Sequence, residues 1–460
     1  MEVDELNRRI GERYAGRRWI LVPDVAAGAA SLVAYLRECG AAGVMVVAGT
    51  EGIGEAPDAD TVFLTRARGE TTMTAIRAFL ASIEEPSAEL LAAVDAFDPA
   101  GEALILGGGF SRRRRLFRRP VYGARPASWW ALEDKMVVDE LWDAAGVARA
   151  PSRIVPVADA PEAARDLASD LGTVWVADNT EGWHGGGEYL RWVRSLDDVP
   201  EALAFFSRHA RRVRVMPFLD GIPCSIHGFV TDDDVAVYRP VEMLVFRRTD
   251  RPGLVYGRAA TFWEPPADLA AEMRAAARRV GAELRRRVGY RGAFGIDGIA
   301  TAEGFRPTEL NPRTSIGHSL QAQVAGLHYG SIDRCYVAGD LEVDARWLED
   351  TIVSAATRRR GGVSIVPLEG RYPEAGVGLR FGPDGAAAVD LDEVGDGEVD
   401  ATMRIGPSGF GSVLVVHLDP DRTPIGPSVA PRVLAAIDLA RTRWGIELPP
   451  LEPASDRSGG

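Results

Sequence analysis

The sequence predicts an α/β chain that begins with a doubly wound parallel sheet and ends in a small α+β region. Three observations support this prediction. Up to about Trp130, short apolar runs alternate with helical patterns, which is typical of parallel sheets. A second stretch of alternating elements follows and ends in an acidic strand pair, Ala293–Arg313. After the linker Arg358–Gly362, four strands precede one final helix.

The composition is that of a globular protein with an excess of acidic residues. The 460 residues, 46% of them hydrophobic, suffice for two or three domains with substantial cores. The net charge of −13 argues against a general nucleic-acid or anionic-membrane binder. The polar N-terminus predicts no secretory signal, and no apolar run reaches the roughly 18 residues of a membrane helix. Three scattered cysteines are typical of a reducing cytoplasm, where we expect the protein.

The first 130 residues are predicted to form the doubly wound sheet. The strands and helices are Trp19–Val22, Ala26–Glu38, Val44–Val47, Thr61–Leu64, Thr71–Ile83 and Ala103–Leu106. The last strand runs into the triplet Gly107-Gly108-Gly109. Ligands of such sheets bind beyond the carboxyl ends of strands. The triplet therefore either lets a substrate approach the backbone or is a plain flexible turn.

A basic run, Ser111–Arg119, follows this sheet and contains six arginines. Such a short run is usually a solvated face. It also has the charge to attract an anionic substrate, whereas nucleic-acid binding would need interleaved stacking aromatics. We assign it no catalytic role. The next segment, Arg125–Trp130, is predicted to be a domain boundary.

Lys135 is the only lysine of the chain, and every other one of the 53 basic residues is arginine. A lysine kept against this bias suits a place that needs a compact charge on a flexible stem, such as beside nucleotide phosphates. The alternative is a chance survivor on the surface. The residues Glu133-Asp134-Lys135 are predicted to open a helix that ends at Ala145.

A predicted strand, Thr173–Ala177, runs into the glycine-rich loop Asp178–Glu188, which contains Gly185, Gly186 and Gly187. Backbone N–H groups that are free of bulky side chains can cradle an anion in such a loop. The loop is therefore a candidate phosphate-binding segment.

The later elements follow from the same patterns. Val213–Gly221 and Ile222–Val230 are predicted to be partner strands joined by an Asp-Gly turn, and Glu242 is a candidate polar contact in the strands after them. A long amphipathic helix, Leu269–Val288, leads into the acidic strand pair. The C-terminal elements are Val363–Leu368, Val377–Phe381, Ala401–Ile405, Val413–Leu418 and the helix Ser428–Trp444.

The acidic strand pair is predicted to be a β-hairpin. A three-residue loop, Ala302–Gly304, would close it and pair Thr301 with Phe305. Counting back along both strands sets Asp297 opposite Glu309. Like charges directly across a strand pair are destabilising. Two other interpretations stay open, since Asp297 and the glycine after it suit a tight turn, and a one-residue shift would uncouple the carboxylates.

A metal and phosphate site would resolve this conflict of charges. Glu309, Asn311 and Arg313 lie two residues apart and so share one face of an extended strand. Mg²⁺ takes oxygen ligands from one or two carboxylates together with substrate phosphates. Asn311 would add a neutral oxygen, and Arg313 a planar donor suited to phosphate. His318 and Ser319 follow closely enough to reach the same pocket, although a histidine there is more often structural.

The motif Glu309-Leu310-Asn311-Pro312-Arg313, with a lone acid in the opposite strand, resembles the metal-binding hairpin of the ATP-grasp superfamily. The resemblance implies that Asp297, Glu309 and Asn311 hold Mg²⁺, with Mn²⁺ as an alternative, and that Arg313 stabilises the transferring phosphate or the substrate carboxylate. It also implies that ATP drives the joining of a carboxylate to an amine through an acyl phosphate. The expected layout is a pre-ATP-grasp α/β domain at 1–130, an ATP-grasp domain at 131–340 and a C-terminal domain at 341–460.

The resemblance extends to the segments that would bind the nucleotide. Lys135 matches the position of the family's first nucleotide-binding lysine, and the loop with Gly185, Gly186 and Gly187 matches the loop that closes over the phosphates. Met216 and Phe218 occupy the hinge segment that contacts adenine. Family members hold adenine there by backbone groups and often by a glutamate. Backbone recognition survives in this chain, but the side-chain acceptor is lost, so the resemblance implies a more apolar purine pocket.

The chain departs from the family pattern at one position. A second lysine usually ends the strand before the glycine-rich loop, where this chain has Ala177 and Asp178. Phosphate affinity should fall unless an arginine or His184 substitutes for that lysine. The alternative is that His184 is a loop residue without a role.

The segment Arg125–Val147, RPASWWALEDKMVVDELWDAAGV, together with the separate C-terminal region, looks most like the bacterial peptide ligases of the pheganomycin type. That resemblance implies an amino acid or peptide substrate and a role in natural-product biosynthesis. We expect no nucleic-acid or membrane partner, and a homodimer is the candidate assembly. Two other classes stay open, namely a small-molecule kinase of the same fold and a nucleotide-binding protein with little turnover.

Overall fold

The computed structural model describes residues 2–107, 111–383, 385–393, 395 and 397–455, so Gly108 and Gly109 of the predicted triplet lie outside the described residues. The first elements are α1 (Val3–Tyr14), β1 (Arg18–Leu21), α2 (Ala30–Glu38), β2 (Gly43–Ala48), β3 (Thr61–Leu64), α3 (Thr72–Glu84), α4 (Ala88–Phe97), β4 (Leu104–Leu106) and the short hairpin β5 (Arg115–Leu116) and β6 (Arg119–Pro120). Strands β1 to β4 form a parallel sheet in the order β3-β2-β1-β4.

Helices cover both faces of this sheet, which confirms the predicted doubly wound architecture. Trp19 and Leu21 of β1 pack with α1 and α2, whereas Ile20 points to the opposite face and packs with α3 and α4. The sequence prediction omitted α1 and α4. Helix α1 is polar on most of its surface and buries a single stripe of residues spaced four apart.

The second sheet is antiparallel. Its elements follow α5 (Ala127–Trp130) and α6 (Val138–Ala144), and they are β7 (Arg153–Pro156), α7 (Ala160–Leu167), β8 (Thr173–Ala177), β9 (Leu190–Val193), α8 (Val199–His209) and β10 (Arg212–Pro217). The strand order is β7-β10-β8-β9, and α7 and α8 pack on one face around Trp175 and Phe206.

The predicted pairing of β10 with the strand after it is wrong. Strand β10 lies between β7 and β8, so both of its edges are already paired from Val213 to Val215. The next strand, β11 (Ile222–Val230), belongs to another sheet. The segment Asp220-Gly221 therefore connects two sheets instead of closing a hairpin.

The largest sheet contains the remaining strands. After β11 the elements are β12 (Val235–Val237), β13 (Val241–Arg248), β14 (Leu254–Ala260), α9 (Ala267–Val288), β15 (Gly292–Thr301), β16 (Gly304–Asn311), α10 (Ile316–Gln323), α11 (Tyr329–Ala338), α12 (Ala345–Arg358), β17 (Gly362–Leu368), β18 (Ala375–Gly382), β19 (Gly385–Val389), β20 (Ala401–Ser408), β21 (Gly411–Leu418), α13 (Ala430–Trp444) and β22 (Leu451–Pro453). The main path is β16-β15-β11-β13-β14-β17-β21-β20-β18-β19. The pairing of β14 with β17 joins the central strands to the C-terminal strands in one sheet. The predicted domain boundary at residue 340 stays a prediction.

Glu242, the candidate polar contact on β13, binds the C-terminal helix. Its carboxylate accepts hydrogen bonds from the hydroxyl of Ser428 and from the backbone N–H of Val429 (3.0 Å), just before α13. Burial raises the pKa of Glu242 to about 7. The residue therefore ties α13 to the sheet.

The long helix α9 packs on β11 and leads into β15, as predicted. It has 22 residues and ends at Gly289, which adopts the left-handed conformation common at helix ends (φ 61°). Its arginines lie outside the buried stripe, which includes Met273, Val280 and Leu284. Among the helices in the described ranges, none is both long and apolar enough to cross a membrane.

Candidate active site

The hairpin of β15 and β16 places two carboxylates opposite each other. Asp297 pairs with Glu309, so the predicted register at this point is confirmed. The predicted loop is wrong, because Thr301 pairs with Gly304 and not with Phe305. The loop is one residue shorter than predicted, and a β-bulge next to Asp297 adds one residue to β16. The two differences cancel, so Asp297 still lies opposite Glu309.

Asp297 is held by two donors from neighbouring positions. Ser225 Oγ, on the adjoining strand β11, donates to Oδ1 at 2.6 Å, and Asn311 Nδ2 donates to Oδ2 at 2.9 Å. Burial and, after it, the charge of Glu309 raise the pKa of Asp297 to about 6. The carboxylate is therefore ionised at neutral pH at an energetic cost, which a bound cation would relieve.

Lys135 reaches the acidic pair from a distant part of the chain. Its Nζ donates to Glu309 Oε1 at 3.1 Å and to the carbonyl oxygen of His184 at 3.3 Å. The nearly buried lysine lies in a turn before α6, so the predicted helix start at Glu133 is wrong. Asp134 causes the difference, since its extended backbone and its side-chain hydrogen bond to an N–H two residues on end the helical path.

Arg313 joins the hairpin to the segment before Lys135. Its Nε donates to Oε1 of the buried Glu133 at 2.8 Å, and its Nη2 donates to Asn311 Oδ1 at 3.0 Å. The guanidinium also lies 5.8 Å from the ring centroid of Trp183, in the glycine-rich loop. The structure thus brings together the four predicted side chains of the hairpin and Lys135.

His184 is a buried and neutral member of the glycine-rich loop. Its Nε2 donates to the carbonyl oxygen of Ala177 at 3.1 Å. Burial and the nearby charge of Lys135 lower the pKa of His184 to about 4. A neutral ring does not supply the charge of the missing second lysine, and a contact of His184 with the nucleotide stays a prediction.

The glycines of this loop have a conformational role. Gly186 and Gly187 have φ angles of 62° and 76°, in the left-handed region that favours glycine. Gly185 lies against the Trp183 ring, which is 3.1 Å from the point a Cβ would occupy. The loop therefore needs glycine for its shape, and its contact with phosphates stays a prediction.

The end of the glycine-rich loop is fastened to the N-terminal sheet. Glu188 Oε1 accepts from Thr71 Oγ1 at 2.6 Å, and its Oε2 accepts from the N–H of Met73 at 3.0 Å, in the first turn of α3. Arg77 Nη1, one turn further along α3, donates to the hydroxyl of Tyr189 at 2.8 Å. We call these contacts the loop clasp.

An arginine does lie near the position of the missing lysine. Arg214 of β10 pairs with Val176, next to Ala177, and is fully buried. Its guanidinium donates to Asp139 at 2.6 and 3.1 Å and to the carbonyl oxygen of Thr308 at 3.1 Å. Arg214 therefore holds the second sheet against the hairpin, and Asp139 balances its charge.

The two hinge residues, Met216 and Phe218, differ in whether their backbone polar groups already have hydrogen-bond partners. Phe218 uses its backbone N–H on the carbonyl of Gly172 (2.9 Å), its carbonyl accepts from Ser169 Oγ (2.9 Å), and its ring lies 4.7 Å from that of Trp192. Met216 is on the part of β10 that pairs with β8 alone. The contact of either residue with adenine stays a prediction, and Met216 has the freer backbone edge.

His318 has a structural role. Its buried Nε2 lies 3.1 Å from the carbonyl oxygen of Phe294, and its Nδ1 accepts from the N–H of Ser315 at 3.1 Å. Burial lowers the pKa of His318 to about 3, so the ring is neutral. The residue fixes α10 beside β15.

Sequence reasoning missed Ser225, Glu133, Glu188 and Arg214. Ser225 and Arg214 act through strand pairings that local patterns do not reveal, and Glu188 acts across two sheets. Only Glu133 carried a signal, because it precedes the single lysine by two residues.

The residues of the hairpin fit a hard divalent cation. Two carboxylates and one amide share one face, and one lysine offsets part of their charge. Across the described ranges there is no group of three His, Cys, Asp or Glu side chains suited to a metal. The site thus offers the few protein ligands typical of Mg²⁺ that is also held by substrate phosphates.

The chain shares its fold with ATP-grasp enzymes of known structure. An L-amino acid ligase from Bacillus licheniformis matches with a TM-score of 0.55 and 12% identity, covering 88% of this chain and 94% of that one. The ADP complex of an N5-carboxyaminoimidazole ribonucleotide synthetase matches with a TM-score of 0.52 and 13% identity (92% and 96%). A biotin carboxylase from Campylobacter jejuni matches with a TM-score of 0.51 and 14% identity, covering 94% of this chain and 92% of that one. No family model and no curated protein matches the sequence.

These matches cover nearly the whole chain and define its class as an ATP-grasp fold, in line with the predicted fold class. At such low identity the likeness concerns the fold alone.

Proposed function

We propose that the protein is an ATP-dependent, ADP-forming ligase that joins a carboxylate to an amine. The observation that carries the proposal is the Asp297–Glu309 pair, in which the pKa of Asp297 is raised and Lys135 binds the second acid. A carboxylate oxygen of the substrate would take the γ-phosphoryl group of ATP and release ADP. The amine would then attack the acyl carbon, lose a proton and displace phosphate.

Asp297, Glu309 and Asn311 would hold Mg²⁺, or Mn²⁺ as an alternative. The metal would neutralise the phosphate oxygens and hold them in line for transfer. Asn311 would have to turn its amide, since Oδ1 now accepts from Arg313 and Nδ2 faces Asp297. The raised pKa of Asp297 means that its ionised form is destabilised in the folded protein. A cation would stabilise that form, and this favours binding.

The surrounding residues would position ATP and the acid. Lys135 would move from Glu309 to the phosphates when the metal binds, and Arg313 would bind the carboxylate or the transferring phosphoryl group. The loop with Gly185, Gly186 and Gly187 would cover the phosphates and exclude water, because acyl phosphates hydrolyse. Met216 and Phe218 would lie against the adenine. His184 would position Lys135 through its backbone carbonyl oxygen.

An amino acid or a short peptide is the proposed acid. The likeness to an L-amino acid ligase supports this class, although it extends only to the fold. A pheganomycin-type peptide ligase of natural-product biosynthesis, acting in the cytoplasm as a homodimer, stays a proposal that rests on the sequence.

A second candidate is a nucleotide-binding protein with little turnover. It is favoured by the neutral state of His184 and by the pairing of Arg214 with Asp139, because neither residue replaces the missing lysine charge. A third, a small-molecule kinase, would release ADP without an amine and leave a stable phosphorylated product.

The proposal is tested by an ADP-release screen of amino acids and short peptides, singly and in pairs, with products read by mass spectrometry. We expect amine-dependent ADP release and an amide product. Glu309→Gln and Lys135→Ala should abolish turnover, whereas Glu303→Gln, at the exposed tip of the same hairpin, should not. Mg-ATP binding without any ADP formation would favour the second candidate. Activity near wild type in Glu309→Gln and Lys135→Ala would refute the site.

A further inference from the structure

A cavity of about 260 Å³ opens beside Arg313, between the N-terminal sheet and the large sheet. It lies at the carboxyl end of β4, where ligands of doubly wound sheets bind. The charged residues that line it are five arginines and one acid, namely Arg112, Arg113, Arg125, Arg313, Arg334 and Asp333.

Three of these arginines have acidic partners. Arg125 forms a bidentate pair with Asp333, Arg113 binds a carboxylate on α3 at 3.2 Å, and Arg313 binds Glu133 at 2.8 Å. In the part of the chain that the structure describes, Arg112 and Arg334 form no ion pair.

The environment of these two arginines suits an anion. The Arg112 guanidinium lies 5.8 Å from the ring centroid of Trp130, and Arg334 is half-buried on α11. Other donors, from Ser111, Thr314 and Ser319, line the same space. Guanidinium groups bind carboxylate and phosphate through paired hydrogen bonds, so the cavity has the lining of an anion site.

We propose that this cavity binds the acid substrate, and that the acid carries a second anionic group, a carboxylate or a phosphate, which Arg112 and Arg334 bind. The inference rests on the proposed function and narrows its substrate class. Arg313 contacts Asn311 of the hairpin and also lines the cavity, so the reacting carboxylate lies at Arg313 and the rest of the molecule extends toward the basic run. The volume is below the 300–1,000 Å³ typical of drug-sized ligands, which indicates a molecule the size of an amino acid.

The kinetic test compares ADP release with alanine and valine, with aspartate and glutamate, and with phosphoserine, each mixed with the same set of amines. The dicarboxylates or phosphoserine should be preferred. Arg112→Gln and Arg334→Gln should each raise KM for the preferred acid at least about tenfold while the KM for ATP stays unchanged. The control is Arg114→Gln, an exposed arginine of the same run that does not line the cavity, and it should stay within about twofold of wild type.

A binding measurement separates this inference from the proposed function. Succinate and inorganic phosphate are titrated calorimetrically into the protein with Mg-ADP present, and this needs no turnover. Binding that weakens at least about tenfold in the two variants but not in the control supports the inference even if no acid releases ADP, and that result would reject only the ligase activity. Efficient use of alanine or valine with unchanged KM in both variants overturns the inference and leaves the ligase activity standing. The ligand whose binding the two variants weaken identifies the second group as carboxylate or phosphate.

Discussion

Two acidic centres differ in how their charge is balanced, one on the hairpin of β15 and β16 and one on α11 that contacts the start of β15. On α11, Asp333 accepts two hydrogen bonds from Arg125 (2.8 and 2.7 Å) and one from the N–H of Ala293 (2.8 Å), and all are buried. In the middle of the hairpin, Asp297 faces Glu309, and Lys135 binds Glu309 whereas neutral donors bind Asp297.

The difference separates a carboxylate that the fold neutralises from a pair that we propose binds a metal. Asp333 has a cation of its own, so the protein itself satisfies the desolvated carboxylate. The Asp297–Glu309 pair keeps a net negative charge that the fold does not neutralise, and its cost appears in the raised pKa of Asp297. Such uncompensated carboxylates are typical of sites that bind a cation from solution.

The largest expected effect concerns activity at the uncompensated centre. Asp297→Asn should lower the rate of ADP formation by about 10³-fold or more, since a proposed metal ligand is lost. The free energy of unfolding should stay the same or rise, because the facing like charges disappear. Steady-state kinetics and urea unfolding of one preparation measure both. A variant that unfolds more easily and keeps its activity would place Asp297 with the structural charges.

The compensated centre should respond in the opposite way. Arg125→Met should lower the free energy of unfolding by about 3–5 kcal/mol, because it leaves the buried carboxylate of Asp333 unpaired. Urea unfolding followed by tryptophan fluorescence is the measurement. Arg118→Gln, which removes an exposed pair with Asp95, should cost less than about 1 kcal/mol. Equal losses of unfolding free energy in Arg125→Met and Arg118→Gln would mean that burial does not make the first ion pair more important for stability than the second.

The pH dependence of stability should separate the two centres further. The pKa of Asp297 is raised to about 6 in the folded protein, so between about pH 4 and pH 6 the folded state binds more protons than the unfolded state. Stability should therefore fall through this window as pH rises, by about 3 kcal/mol relative to Asp297→Asn. Unfolding of both proteins at several pH values gives this difference. A difference that does not vary with pH would contradict the raised pKa.

The smallest expected effect concerns the loop clasp. Glu188→Gln weakens two hydrogen bonds to α3 and should raise the KM for ATP about threefold to tenfold. Amide hydrogen exchange of residues 178–188 should become faster, and that result does not depend on turnover. Glu89→Gln, in the first turn of α4, is the control. Unchanged exchange in Glu188→Gln would show that the clasp does not hold the loop.

Local patterns were sufficient for much of the fold. The alternation of apolar runs and helical patterns gave the parallel sheet, because each buried strand and each amphipathic helix shows its own period. The predicted pairing of β10 with β11 was wrong, because β7 and β8 already occupy the two edges of β10. Adjacency in the chain does not reveal such pairings. Helix α1 was missed because its apolar stripe is narrow in an otherwise polar segment.

The sequence by itself determined which acids, amide and arginine of the hairpin share a face, because side chains alternate along a strand. It also singled out Lys135 by its rarity. Only the tertiary structure decided that Lys135 binds Glu309, 174 residues away, and that Ser225 and Glu133 hold the site in place. Contacts between distant segments depend on how the sheets pack, and no local period in the sequence records that packing.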